Sequence, residues 1–249
     1  MWPMREKIRW HFVQSVEKEK MAHFFPKRGL LFCLVSCTIN MYFLEMFGFS
    51  ELKGARIMRA LRDAIMTYGK GLGADIVKVD MFLNHRIDTT LLFQMGEELA
   101  NRFRQDQPNL VLTVEASGIA IAVATARALG DLPVVFAKKS ATVVQSPDVA
   151  QAKVYSFTHK RENVIRVDKQ YLPAGSRVLI IDDFLADGQA CQGMMALCAQ
   201  TDCPVVGIGI GIEKGFMPGG RNLRAMGVHL ESLAIVSGIQ DGRILLADD

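Results

Sequence analysis

The sequence contains little of what marks a specialised class of protein. Its five cysteines include no CxxC pair, so it spells out neither a zinc site nor a paired disulfide framework, and a reducing cytoplasm fits best. Internal repeats and low-complexity tracts are absent. The apolar run at residues 30–44 is shorter than the ~20 residues a membrane helix needs, and it contains Asn40 and is closed by Glu45. Neither sign of charge dominates: 29 basic and 26 acidic residues leave a net charge of +3, too balanced to mark a polyanionic partner. What remains is a globular composition, 50% hydrophobic and 22% charged over 249 residues, enough for one large domain or two small ones with a sizeable core.

The even balance hides a seam. Residues 1–57 carry nine Lys/Arg against five Asp/Glu and hold ten of the twenty aromatics. Lys27 and Arg28 precede the apolar run as in a signal peptide, but the run starts nearly thirty residues in and no small-x-small cleavage site follows it. The codons for Lys53, Gly54 and Ala55 can form a purine-rich ribosome-binding sequence just upstream of Met58. The expected organisation is therefore a leader, 1–57, ahead of a working domain, 58–249, that starts at Met58.

From there the pattern is α/β. Ile57, Leu61, Ala64 and Ile65 recur at helical spacing before Gly69, Gly71 and Gly73, and Leu91, Leu92, Met95, Leu99 and Phe103 form one stripe of a helix over 89–103. Short apolar runs at 110–114, 134–137, 178–181 and 205–212 read as strands buried on both faces, separated by helices over 119–129 and 189–200. This β-α-β order predicts a parallel sheet flanked by helices. The polar stretch 138–153 reads as an irregular insertion before a short strand at 154–158.

The segment VLIIDDFLADGQA, residues 178–190, carries the most chemistry. A strand ends in two carboxylates, and a loop with Gly188 leads into a helix. Ligands of open α/β sheets bind at such strand ends, and converging backbone N–H groups there take phosphate. Acids beside an anion site accept hydrogen bonds from sugar hydroxyls or hold a divalent cation. The plain alternative is a pair of solvated acids before a helix cap.

This segment resembles the phosphoribosyl-pyrophosphate (PRPP) signature of type I phosphoribosyltransferases. KVDMFLNHRID (78–88), VEASGIA (114–120), PVVFAKK (133–139), VYSFT (154–158) and GIEKGF (211–216) are similar to the bacterial xanthine phosphoribosyltransferase branch. The resemblance covers essentially all of 58–249 and implies the type I phosphoribosyltransferase fold with a small N-terminal hood. It makes Asp182 and Asp183 the catalytic carboxylates facing the ribose hydroxyls. Ala186, Asp187, Gly188, Gln189 and Ala190 become the 5′-phosphate loop, with Asp187 standing where this branch usually carries Asn. Glu115, Ala116, Ser117 and Gly118 become the pyrophosphate loop, where Ala116 and Ile121 replace the Ser and Pro common in that region. Lys138 and Lys139 add positive charge there, and the polar stretch after them becomes a flap. Val77 and Asn84 of the hood and Lys214 on the other side become the xanthine contacts.

The implied reaction converts xanthine and PRPP to xanthosine 5′-monophosphate and pyrophosphate, for purine salvage. Mg²⁺ is carried mainly by PRPP and pyrophosphate, and no residue is assigned as a dedicated metal ligand. The implied protein is a cytoplasmic homodimer that engages neither nucleic acid nor membrane. A phosphoribosyltransferase for guanine, hypoxanthine or adenine stays open, as does a PRPP-sensing transcription regulator. The leader, however, offers no helix-turn-helix or basic helix. His85 reads as a surface histidine of the hood, Cys191 and Cys198 as core packing, and Phe216 as an aromatic at a strand end.

Overall fold

Alternate residues of the central strands feed two different hydrophobic cores, and this decides the architecture. On β3 (Leu110–Val114), Leu110, Leu112 and Val114 enter one core while Val111 enters the other; on β7 (Val178–Leu185), Val178 and Ile180 part from Leu179 and Ile181 in the same way. Side chains alternate across a strand, so a strand that must satisfy both faces is apolar throughout. The fold is a computed structural model that describes residues 49–140, 148–156 and 161–247. The chain divides into two units, Met1–Leu52 and Lys53–Asp249, and the second is described here. The leader, 1–57, lies almost wholly outside the described residues.

The main sheet has six strands in the order β10-β9-β8-β7-β3-β4. Strands β4 (Val134–Ala137), β3, β7, β8 (Val205–Lys214) and β9 (Leu230–Gln240) are parallel, and β10 (Arg243–Leu246) returns antiparallel along β9. The expected parallel sheet is thus mixed at one edge. One face is covered by α1 (Phe49–Tyr68), through Leu61 and Ile65, together with α2 (Thr89–Phe103) and α3 (Gly118–Ala128). Asp88 caps α2 by accepting a 3.1 Å hydrogen bond from the Leu91 N–H. The other face is covered by α4 (Gln189–Ala199) and by the antiparallel hairpin β5 (Val149–Ser156) and β6 (Arg161–Asp168). A second hairpin, β1 (Lys70–Leu72) with β2 (Ile76–Lys78), and a single π-turn, Asp80–Asn84, form the hood. The short helix α5 (Gly219–Ala225) links β8 to β9.

Two expectations change. The polar stretch 138–153 is not irregular throughout, because β5 begins at Val149 and pairs with β6 along its length; residues 141–147, the centre of the expected flap, lie outside the described residues. The strand read as 178–181 continues through both acids to Leu185, because β8 pairs alongside it as far as Glu213.

Candidate active site

The chain enters the main sheet at β3, adds β4 on one side, then crosses to place β7, β8 and β9 on the other. The connections therefore leave β3 and β7 in opposite directions and open a crevice at their carboxyl ends. The loop 115–118 and the pair Asp182 and Asp183 meet at that crevice. The Ser117 hydroxyl donates to Asp183 Oδ1 at 2.9 Å, and the Asp183 N–H donates to Asp182 Oδ1 at 3.0 Å. Gly118 is required here: a Cβ would lie 2.3 Å from Thr113 Oγ1 and 2.7 Å from Asp182 Oδ1. The Thr113 hydroxyl beneath it is buried without a hydrogen-bond partner. The Glu115–Ala116 peptide is cis.

Both acids are buried, at 5% and 4% exposure, and are not the solvated pair of the plain alternative. Burial, and then the neighbouring charge of Asp183, push the Asp182 carboxyl well above the usual carboxylate range, against the charge of Lys139. The pair is a set of hard oxygen donors whose mutual repulsion a cation or a hydroxyl donor would relieve. Among the described residues, no group of three or more His, Cys, Asp or Glu is placed to hold a metal ion. A divalent ion bound here would take its other oxygens from an anionic ligand.

Beyond β7, residues 186–188 turn into α4. Gly188 supplies the left-handed backbone (φ +85) that this turn requires. Gly219 backs the turn, its N–H donating to the Ala186 carbonyl at 3.0 Å. The N–H of Gln189, the first residue of α4, is taken by Asp187 Oδ1 at 3.1 Å. Position 187 thus puts a carboxylate where an anion would otherwise find a donor. Gln189 and Ala190 follow as the first residues of the helix.

The remaining candidates fall into three places. Glu115 Oε1 accepts the Lys139 N–H at 2.5 Å, and Lys138 exchanges two 2.9 Å backbone hydrogen bonds with Arg166 of β6, so the end of β4 is tied to the loop 115–118 and to the hairpin. At the end of β8, Lys214 Nζ donates to the Asp75 carbonyl of the hood at 2.7 Å. Half-burial pulls its ammonium below the ordinary value, against the charges of Asp75 and Asp187. In the hood itself, the Val77 side chain is spent on the core, and Asn84 is exposed at the end of the π-turn. His85 and Phe216 are exposed, while Cys191 and Cys198 are buried in α4. Burial pushes both thiols up, that of Cys198 to about 12.

Sequence reasoning missed Thr113, Asp75 and a cluster in which Arg224 closes over the buried Glu213 and Ser232. Only Glu213 carried a signal, an acid directly after the apolar run of its strand and just before Lys214.

The model for the phosphoribosyl transferase domain matches residues 87–216, from the start of α2 to just past Lys214. The chain belongs to the phosphoribosyltransferase family. The xanthine phosphoribosyltransferase of Clostridioides difficile (strain 630) is 46% identical over 187 residues, 75% of this chain and 98% of that protein. The xanthine phosphoribosyltransferase of Bacillus cytotoxicus is 45% identical over 187 residues, 75% of this chain and 94% of that protein. Among solved structures, the adenine phosphoribosyltransferase of Rhodothermus marinus superposes with a TM-score of 0.60 at 21% identity, covering 73% of this chain and 99% of that one. At that identity it shows the phosphoribosyltransferase fold alone. The type I resemblance and the helix-flanked, mostly parallel sheet are thereby borne out.

Proposed function

We propose that this phosphoribosyltransferase joins xanthine to PRPP, giving xanthosine 5′-monophosphate and pyrophosphate in purine salvage. The extent of the likeness carries the reading: relatives named xanthine phosphoribosyltransferase are 45–46% identical and matched over 94–98% of their own length. In this reading the 186–190 loop binds the 5′-phosphate, Asp182 and Asp183 accept the ribose hydroxyls, and the backbone of 115–118 faces the pyrophosphate. The reaction needs no protein nucleophile. A purine nitrogen attacks the anomeric carbon while its bond to pyrophosphate breaks, and positive charge grows on the ribose beside the two carboxylates. Magnesium, bound through PRPP beside Asp182 and Asp183, would supply neutralising charge to the departing oxygens. Lys138 and Lys139 at the end of β4 bring positive charge to the same end of the site.

Lys214 selects the base. Xanthine carries an extra oxo group at position 2 and is partly anionic near neutrality, so an ammonium at that edge favours it, and adenine leaves that charge unpaired. Such a mismatch costs about 1–3 kcal/mol, roughly a tenfold to hundredfold preference. Asn84, which can donate and accept, discriminates less. We further propose that the working unit is 58–249 and acts as a cytoplasmic homodimer; among the described residues no helix is long and apolar enough to cross a membrane.

The test is a competition of xanthine, guanine, hypoxanthine and adenine for limiting PRPP. Xanthine is expected to lead and adenine to be negligible, with the preference lost in Lys214→Gln. Adenine as the favoured base would overturn the assignment, and no product from any base would point to a PRPP-sensing regulator.

A further inference from the structure

Glu213 and Ser232, both buried, and the more exposed Arg224 that closes over them form a polar cluster for which the reaction above has no use. Glu213 lies on β8 at 3% exposure, in a strand whose residues 207–212 are all buried. Arg224 Nη1 and Nη2 donate to its two carboxylate oxygens at 2.7 and 2.8 Å, and the Ser232 hydroxyl of β9 donates to Oε2 at 2.5 Å. Arg224 lies in the last turn of α5, whose first residue, Gly219, backs the 186–188 turn. The helix is close-packed at its first two residues. A Cβ at Gly219 would lie 2.5 Å from the Ala186 carbonyl oxygen and 2.6 Å from Gly188 N, and one at Gly220 would lie 1.9 Å from Glu213 Oε1. A seven-residue helix does not hold itself in place. Its position comes from its anchors, the buried Leu223 and the fork of Arg224 on Glu213.

We infer that Arg224 is a positioning residue for PRPP: its pairing with Glu213 sets where α5 lies, and α5 is the wall against which the 186–188 turn takes its shape. Arg224 touches no substrate. Lys214 follows Glu213 in the strand, so one buried carboxylate fixes the wall behind the phosphate end and sits next to the residue that meets the base. The inference rests on the reading of 186–190 as the 5′-phosphate loop.

Its test is steady-state kinetics on the full chain with Arg224→Lys, which keeps the charge but loses the two-pronged fork, and with Arg224→Met, which loses both. A small displacement of binding groups is worth up to about a hundredfold. The KM for PRPP is expected to rise about tenfold in Arg224→Met and less in Arg224→Lys, with the KM for xanthine within about twofold of the parent. Should Arg224→Met not fold, Ser232→Ala removes one of the three hydrogen bonds and keeps the ion pair, and a smaller rise confined to PRPP is expected. A lowered melting temperature with both KM values unchanged, or equal rises in both, would overturn the inference. Gly188→Val keeps this separate from the loop assignment. If it leaves the KM for PRPP unchanged, the loop reading itself fails; if it raises that KM and the Arg224 and Ser232 variants do not, only the role of Arg224 fails.

Discussion

Two buried acidic sites lie on neighbouring strands of one sheet and have opposite electrostatics. On β7, Asp182 and Asp183 face each other with one hydroxyl and one backbone N–H between them, and the Asp182 carboxyl is pushed far up. On β8, burial also raises the cost of ionising Glu213, but the hydrogen bonds from Arg224 and Ser232 outweigh it and hold that carboxyl below its ordinary value. Burial alone therefore does not decide the state of a buried acid; its partners do. The carboxylate paired with a cation holds the fold together, and the like-charged pair, which no cation among the described residues neutralises by contact, stores an interaction that a ligand can complete.

Neutralising the pair should separate activity from stability most sharply. Asp182→Asn and Asp183→Asn are expected to lower kcat/KM by about a hundredfold or more, with no loss of melting temperature because each removes a like-charge repulsion. A melting temperature that fell with the activity would erase the contrast between the two sites. Glu213→Gln should instead lose stability, about 2 kcal/mol in denaturant unfolding, and, through the loosened Arg224 fork, raise the KM for PRPP while leaving that for xanthine nearly unchanged.

That loss has a pH signature. Because the folded carboxyl of Glu213 titrates below its unfolded value, its stabilisation is fully present above the unfolded value and fades as pH falls through the folded one. The stability gap between parent and Glu213→Gln should therefore close in acid. Asp182 has the opposite sign: its folded value is raised, so its charge takes stability away as pH climbs above the ordinary carboxylate range, and Asp182→Asn should gain on the parent there. Unfolding titrations of the two variants side by side check both signs.

A smaller effect is expected in the proposed phosphate loop, where Asp187→Asn keeps an acceptor for the Gln189 N–H and removes the charge. Its KM for PRPP should fall severalfold, and a rise would mean that the carboxylate assists binding. The smallest effect concerns the proposed boundary: a chain beginning at Met58 should match the full chain in kcat/KM within about twofold, and failure of the shortened chain to fold would refute it.

The elements read most sharply from the sequence were those whose signal is local. The stripe of α2, closed by an Asp88 cap, and the apolar runs of β3 and β4 end where the pattern says they end. The loop 115–118 and the two acids were legible as a motif, and the structure brings them together through Ser117 and Gly118. What escaped depends on neighbours distant in sequence. A charged pair reads as the end of a strand, yet β7 carries Asp182 and Asp183 inside the sheet because β8 pairs beside them. Glu213 reads as an oddity until Arg224, eleven residues on and on another element, closes over it. The last two strands were missed because β9 mixes Glu231, Ser232 and Gly238 into its run and β10 is only four residues long.

The cysteines of α4 make the protein its own reporter. Cys191 sits one turn below the 186–188 loop, and Cys198 lies two turns further along the same helix. Both are buried, and thiolate formation is opposed at both. Reaction of either thiol with a labelling reagent therefore waits for the helix to come away from the sheet, so its rate counts openings and not intrinsic reactivity. A ligand seated on the loop would slow modification at Cys191 more than at Cys198, so the two rates together time how often the loop end of the helix lifts on its own.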